Sequence, residues 1–326
     1  MVKEPFKISG YAAVLPEKIV ENAVLETHFN LEFGYIEENF GITHRYRITS
    51  ETAIDLAQNA LDLSLEKAGI SFSDLDLLIS ASVSIAYQLP NNATIIAGKY
   101  KNATVPCMDV NMSCLSWLSA LDFAISMLQG SGYKRIAIVS SETPSKILKQ
   151  DCLESQAIFG DAATAIILEK SSDLGVGKIQ SKFETFPSGW NLSLIPGGGL
   201  TKHPLHHELK MNDYTFQMEN QRLLLFSLKK MNEFFEESKF GNIFLNEIDL
   251  IVPHQGSKAG LDYFSQHFKV EEKVVRNFET RGNCVAASIP LAFIEALESG
   301  RIQKGQKVLL SGTAAGISIG GILIQI

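Results

Sequence analysis

Three residues of this 326-residue chain carry side chains suited to nucleophilic acyl transfer, and each stands at a strand end or in a loop. Cys114 lies in "DVNMSCLSWLSALDFA" (109–124), at the junction of an apolar strand and a helix that is apolar on nearly every face. His254 lies in "LIVPHQGS", where a strand runs into a turn. Asn283 lies in "RGNCVAASIP", directly before another helix. A thiol, an imidazole and a carboxamide can together form an acyl-transfer site. A helix N-terminus presents unpaired N–H groups and a partial positive charge, which favour a thiolate. The cysteine's own N–H can serve as one oxyanion donor. Taken singly, each residue also has a structural reading: a small buried hydrophobe, a core histidine, and a helix N-cap after ordinary turn residues.

The elements that must position these residues alternate. Apolar strands are expected at 75–84, 105–112, 135–142 and 164–170, with helices at 53–69, ending at Gly69, and 114–130, ending at Gly130. The second half repeats the plan with a helix at 226–238, a strand at 248–257 and a helix at 288–300. Strands alternating with helices predict a mostly parallel sheet with helices over it. Weak internal echoes link "LDLLISASVS" to "IDLIVPHQGS", "RIAIVSSET" to "KVLLSGTAA" and "TAIILEK" to "GGILIQI". They predict a duplicated α/β unit joined near 171–185, one half at 1–172 and the other at 173–326.

Composition narrows the function classes. The formal net charge of −7 argues against broad nucleic-acid binding, which wants a basic face. Four cysteines (Cys107, Cys114, Cys152, Cys284) in a chain this long do not make a disulfide framework and suit a reducing, cytoplasmic setting. No CxxC pair is present, and His203, His206 and His207 have no carboxylate or cysteine at ligand spacing, so no metal is expected. The N-terminus lacks the apolar stretch of a signal peptide. The uncharged segment 308–326 is long enough to span a membrane but is interrupted by glycines and hydroxyls, and reads as two buried strands around a tight loop. The polar stretch 188–216 reads as a long loop.

The wording of several segments resembles β-ketoacyl-acyl-carrier-protein synthase III and its condensing-enzyme relatives in the thiolase superfamily. The resemblance is carried by "GITHRYRI" (41–48), "DVNMSCLSWLSAL", "SSETPSKIL", "IFGDAATAIILE", "VPHQGS" and "GNCVAASIPLAFIEALESGRIQKGQKVLL", in order along nearly the whole chain. It implies the thiolase-like fold: two duplicated α/β halves in a five-layer αβαβα arrangement, working as a homodimer. It implies that Cys114 holds the acyl group while His254 and Asn283 bind a malonyl thioester and stabilise the enolate left as CO₂ departs. Claisen condensation then gives a 3-oxoacyl product, in fatty-acid initiation or a specialised fatty-acid or polyketide-like pathway. The backbone N–H groups of Cys114 and Gly316 would form the oxyanion hole, and Phe159 would pack near the sulfur. The substrates implied are acyl-carrier-protein or coenzyme A thioesters, with no cofactor.

Departures from the family pattern bear on substrate. Tyr35 occupies the position of an aromatic adenine clamp, but Leu153 stands where an arginine is expected. Leu89 takes the place of a gate residue that is often Phe, which would admit a longer or branched acyl chain. Ser257 in "HQGS" replaces the more usual asparagine, Ala314 and Ala315 replace common glycines, and Lys258 remains of the basic docking positions. The alternative reading is a Cys-dependent acyltransferase to a hydroxyl, amine or thiol acceptor without condensation.

Overall fold

The computed structural model describes residues 4–101, 104–130, 132–236, 239–240 and 242–326. The first half contributes β1 (Glu4–Val14), α1 (Ala53–Ala68), β2 (Leu77–Ser80), β3 (Cys107–Asp109), α2 (Ser116–Gln129), β4 (Arg135–Glu142) and β5 (Ala162–Lys170). The second contributes β6 (Gly177–Thr185), α3 (Asn220–Phe235), β7 (Leu250–Pro253), α4 (Lys258–Phe268), α5 (Ser288–Glu298), β8 (Lys307–Ala314) and β9 (Ser318–Gln325). Local chemistry explains several boundaries. A Thr52–Asp55 capping box opens α1, and left-handed Gly69 (φ 67°) closes it. The Ser257 hydroxyl accepts from the Gly260 N–H and so caps α4. Residues 237–238, at the end of the helix expected over 226–238, lie outside the described residues.

The strands run in the order β3-β2-β4-β5-β1 and then β6-β9-β8-β7, joined where Glu4 pairs with Lys178 and Pro5 with Gly177. The two halves have the same internal order. An isolated parallel bridge between Ile251 and Val274 flanks β7 as β3 flanks β2. The three sequence echoes fall on equivalent strands: β2 with β7, β4 with β8, β5 with β9. The expectation of a mostly parallel sheet is wrong. Among the described strands of the sheet, β2–β3, β2–β4 and β7–β8 pair in parallel, while β4–β5, β1–β5, β1–β6, β6–β9 and β8–β9 are antiparallel. The reason is plainest for β8 and β9: a short connection can return the chain only antiparallel. These two strands are the uncharged segment 308–326, and no described helix is long and apolar enough to cross a membrane.

Alternation along the strands builds five layers. Ala137, Val139 and Ala163 face α1 on one side of the first sheet, packing with Leu56, Ala60 and Leu61. Ile136, Ile138 and Ile166 face inward, where α2 and α5 lie between the sheets. Val308, Leu310, Ile322 and Ile324 meet the same central layer from the second sheet. Leu309 and Leu323 point outward to α3 and α4, against Phe234, Phe235, Phe264 and Phe268. α2 is apolar over most of its surface because it is covered on both sides, with Asp122 paired to Lys178 and Phe123 left part-exposed. Its Leu118, Leu121, Ile125 and Leu128 are buried, each worth about 1.5–3 kcal/mol of transfer free energy.

Candidate active site

The turn before α2 places Cys114. Ser113 holds a left-handed φ of 52°, uncommon for a residue with a side chain. The turn is fastened by Ser116, whose hydroxyl accepts from the Met112 N–H at 2.9 Å and donates to the Ser113 carbonyl at 2.6 Å. His254 follows the last residue of β7, and its N–H donates to the Ser311 carbonyl of β8 at 2.7 Å. A Cβ on Gly312 would sit 2.6 Å from the His254 Cβ and 3.2 Å from Leu115 Cδ2, so this strand position must lack a side chain. Asn283 follows Gly282, which must be glycine because its φ is 71° and a Cβ there would sit 2.5 Å from the Ile158 carbonyl oxygen. The Asn283 N–H then donates to the same carbonyl at 2.7 Å.

Cys114, His254 and Asn283 all line one cavity of about 640 Å³. The Asn283 Nδ2 donates to the Gly256 carbonyl at 3.3 Å, and its Oδ1 accepts from the Val285 N–H at 2.9 Å. One Nδ2 hydrogen therefore remains to donate. Gln255, fully buried, joins the histidine loop to the segment leading to Asn283. Its Nε2 donates to the carbonyls of Pro253 and Val275, and its Oε1 accepts from the N–H groups of Asn277 and Phe278. Its role is missed when "HQ" is read as a motif alone, since its four partners are backbone atoms that only the fold brings near.

The electrostatics of the site correct one expectation. Burial pushes the Cys114 thiol up to about 12, with the Glu142 carboxylate adding to the rise. The N–H groups of Ala315 and of Cys114 itself work against this but do not prevail. Cys114 is thus a thiol, and desolvation outweighs the helix terminus. The same cause holds His254 neutral, down to about 4. Its Nδ1 is buried without a hydrogen-bond partner among the described residues. Glu142, at the end of β4, is a second residue the sequence reading missed. It accepts from the Val83 and Ser84 N–H groups and the Ser84 hydroxyl, and burial raises it to about 7.

The resemblance led to an expectation of the Gly316 N–H beside that of Cys114. The backbone N–H that faces the Cys114 sulfur is that of Ala315, which lines the cavity; Gly316 lies one residue further on and is not among the lining residues. At Gly316 the chain turns with φ 129° into β9.

The substrate-pocket expectations divide. Phe159 lines the cavity, its ring edge-on to Phe216 with centroids 5.5 Å apart, and packs in a cluster that touches Cys114. Ser257 also lines it, with its hydroxyl engaged as the α4 cap. Leu89 does not: its side chain is 87% exposed on a surface loop of this chain. Tyr35 is likewise exposed at the start of a short helix, which reaches the cavity through Asn39 and Phe40 instead. Leu153 opens the helix Leu153–Ile158, and the next residue, Glu154, puts a carboxylate at the cavity. Lys258 is paired with Asp262 at 2.6 Å. Among the described residues no group of histidine, cysteine and carboxylate side chains could hold a metal.

Known proteins with the same architecture can now be set beside this geometry. Residues 108–186 match the family described as 3-oxoacyl-[acyl-carrier-protein (ACP)] synthase III, and residues 240–326 match its C-terminal counterpart. The beta-ketoacyl-[acyl-carrier-protein] synthase III of Vesicomyosocius okutanii is 32% identical over 322 residues, covering 98% of both chains. The protein of that name from Clostridium perfringens is 29% identical over 323 residues, covering 98% of this chain and 99% of the relative. The crystal structure of 3-oxoacyl-[acyl-carrier-protein] synthase III from Aquifex aeolicus superimposes with a TM-score of 0.88 at 24% identity, over 99% of this chain and 100% of the other. OleA of Xanthomonas campestris shares the fold, with a TM-score of 0.83 at 19% identity over the full length of both.

Proposed function

Because the chain belongs to the 3-oxoacyl-[acyl-carrier-protein] synthase III family and is a condensing acyltransferase, we propose that Cys114, His254 and Asn283 carry its reaction. The observation that supports this most directly is that all three line one cavity with two backbone N–H groups, of Cys114 and Ala315, at the sulfur.

In the first step the Cys114 sulfur attacks an acyl thioester. The carbonyl becomes an oxyanion held by the N–H groups of Cys114 and Ala315. The C–S bond to the carrier breaks, the carrier sulfur takes up the proton given up by Cys114 and leaves as a free thiol, and the acyl group stays on the Cys114 sulfur. In the second step a malonyl thioester occupies the freed space. Its C–CO₂ bond breaks, CO₂ leaves, and the electron pair moves into an enolate. Neutral His254, through Nε2, and the spare N–H of Asn283 donate to the enolate oxygen. Neither supplies a proton to the nascent carbanion, so carbon is free to attack the acyl carbonyl. The new C–C bond forms, the Cys114 thiolate departs and regains a proton from solvent, and a 3-oxoacyl thioester is released. An apolar site speeds the loss of CO₂ by replacing bulk water around the carboxylate.

The reading extends to partners and organisation. We take the halves as 1–172 and 173–326, the working unit as a cytoplasmic homodimer without a cofactor, and the substrates as acyl-carrier-protein and coenzyme A thioesters. Exposed Ile85, Tyr87 and Leu89 on one loop support a second copy covering that surface. The four free cysteines suit a reducing compartment.

Intact-protein mass spectrometry tests the reaction. Wild-type protein is incubated with acyl-CoA and acyl-carrier thioesters, then with malonyl-carrier protein. A single adduct, absent in Cys114→Ser and discharged as a 3-oxo product, is expected. An adduct that malonyl-carrier leaves in place would overturn condensation in favour of acyl transfer to another acceptor.

A further inference from the structure

The cavity does not end at the nucleophile. It continues between α3 and α4 onto the outer face of the second sheet. This limb is bordered by Ser227, Met231 and Phe235 of α3, Gly260 and Phe264 of α4, and Ile319 of β9. Four of these belong to the outer core and are nearly sealed from solvent: Met231 is 9% exposed, Phe235 1%, Phe264 5% and Ile319 1%. Well-packed interiors hold few voids larger than a water molecule, and apolar ones stay dry and take apolar guests. No titratable side chain stands among these six residues. Gly260, in the first turn of α4, adds no side chain to the limb; a Cβ there would meet only the Ser257 Oγ, at 3.2 Å. An acetyl group on Cys114 would leave this limb empty. A straight alkyl chain would fill it.

We propose that the limb between α3 and α4 is the acyl-chain subsite of this enzyme, that it selects unbranched medium-length acyl groups, and that Phe235 and Phe264 set the length limit. The inference rests on the condensing reading above, because the alkyl chain enters as part of the thioester that loads Cys114. It also locates selectivity within one chain rather than at the exposed Leu89 loop. Each methylene moved from water into this limb raises the specificity constant about threefold to fourfold, up to the length at which the chain meets the phenylalanines.

The test is competitive loading of the full-length protein with an equimolar series of straight-chain acyl thioesters, from acetyl through hexanoyl and decanoyl to palmitoyl, read by intact mass. Wild type is expected to prefer hexanoyl to decanoyl over acetyl. Ser227→Phe, which fills the limb from α3, is expected to lower the decanoyl-to-acetyl loading ratio at least tenfold. Phe264→Leu is expected to move the optimum to longer chains; Ser227→Phe keeps the test valid if that core variant does not fold. A wild type that prefers acetyl, or a Ser227→Phe variant that loses all lengths equally, would overturn the assignment, the latter because the limb then holds the common thioester arm. Loading of no thioester at all would overturn the condensing reading itself, and this one with it.

Discussion

The Asn283 side chain donates to the main-chain carbonyl of Gly256, 3.3 Å away and two residues beyond His254. The two proposed enolate donors, 29 residues apart in sequence, are thereby held as one unit. Gln255 reinforces the arrangement by bonding to Pro253, Val275, Asn277 and Phe278. The pair is set by main-chain geometry, which leaves the imidazole and one amide hydrogen free to meet substrate.

That unit predicts how Gln255 fails. Gln255→Leu keeps the approximate volume but strips partners from buried main-chain groups, at about 1–3 kcal/mol for each group left unsatisfied. Thermal or urea unfolding should show the loss. Condensation should fall more than loading, since the His254–Asn283 spacing relaxes while the Cys114 turn does not depend on it. Equal loss of both steps would contradict this account.

His254→Ala separates the two chemical steps. Removing one donor to a developing oxyanion costs about 10²–10³ in rate. Condensation by pre-loaded enzyme should drop by at least that factor, measured as CO₂ release or product mass after malonyl-carrier addition. Loading should drop less, because the oxyanion there is held by backbone N–H groups. If loading falls as far, His254 acts chiefly as the acceptor for the thiol proton.

The raised Cys114 thiol makes alkylation a direct probe. With Cys114 pushed up to about 12, the thiolate fraction at neutral pH is small. Iodoacetamide labelling should rise about tenfold per pH unit to beyond pH 9, whereas an ordinary thiol levels off above about 8.5. Peptide mapping identifies the site. A plateau near pH 7 would mean that the helix terminus outweighs desolvation after all.

His254 also links stability to pH. Its imidazole takes a proton near 6.5 when unfolded but only near 4 when folded. Its neutral form therefore contributes fully above about pH 6.5, and the advantage is lost as pH falls towards 4. The integrated effect is about 3 kcal/mol. Glu142 works the other way, since its carboxyl is raised to about 7 and loses its advantage as pH rises from 4.5 through that value. Comparing wild type with His254→Gln cancels the Glu142 contribution. The variant should be the less acid-sensitive of the two between pH 6.5 and 4; unchanged acid sensitivity would refute the burial argument.

Gly312→Ala should be severe for a one-methyl change. Its Cβ would meet the His254 Cβ at 2.6 Å, so the strand or the catalytic loop must move. Overpacking of this kind costs about 1–3 kcal/mol. Condensation should be lost beyond what the drop in melting temperature explains. Full activity at a lowered melting temperature would show that the loop tolerates the shift.

Much of this protein is written locally. The apolar runs at 135–142 and 164–170 became β4 and β5, because buried strands declare themselves by composition. The helix after Cys114 was legible as apolar on nearly every face, which suits its place between the sheets. The echoes between halves identified the equivalent strands, and the order of motifs pointed to the three residues that share the cavity. Sheet direction was not legible: parallel and antiparallel pairing use the same residues, and the distinction lies in how the connections return. The ionisation of Cys114 was equally hidden, because the helix terminus is visible in sequence while the desolvation that overrides it comes from the surrounding layers. That the N–H at the Cys114 sulfur is that of Ala315 and not of Gly316 was hidden for a similar reason. Any residue in a glycine-rich turn has an N–H, and only the path of the backbone decides which one faces the sulfur.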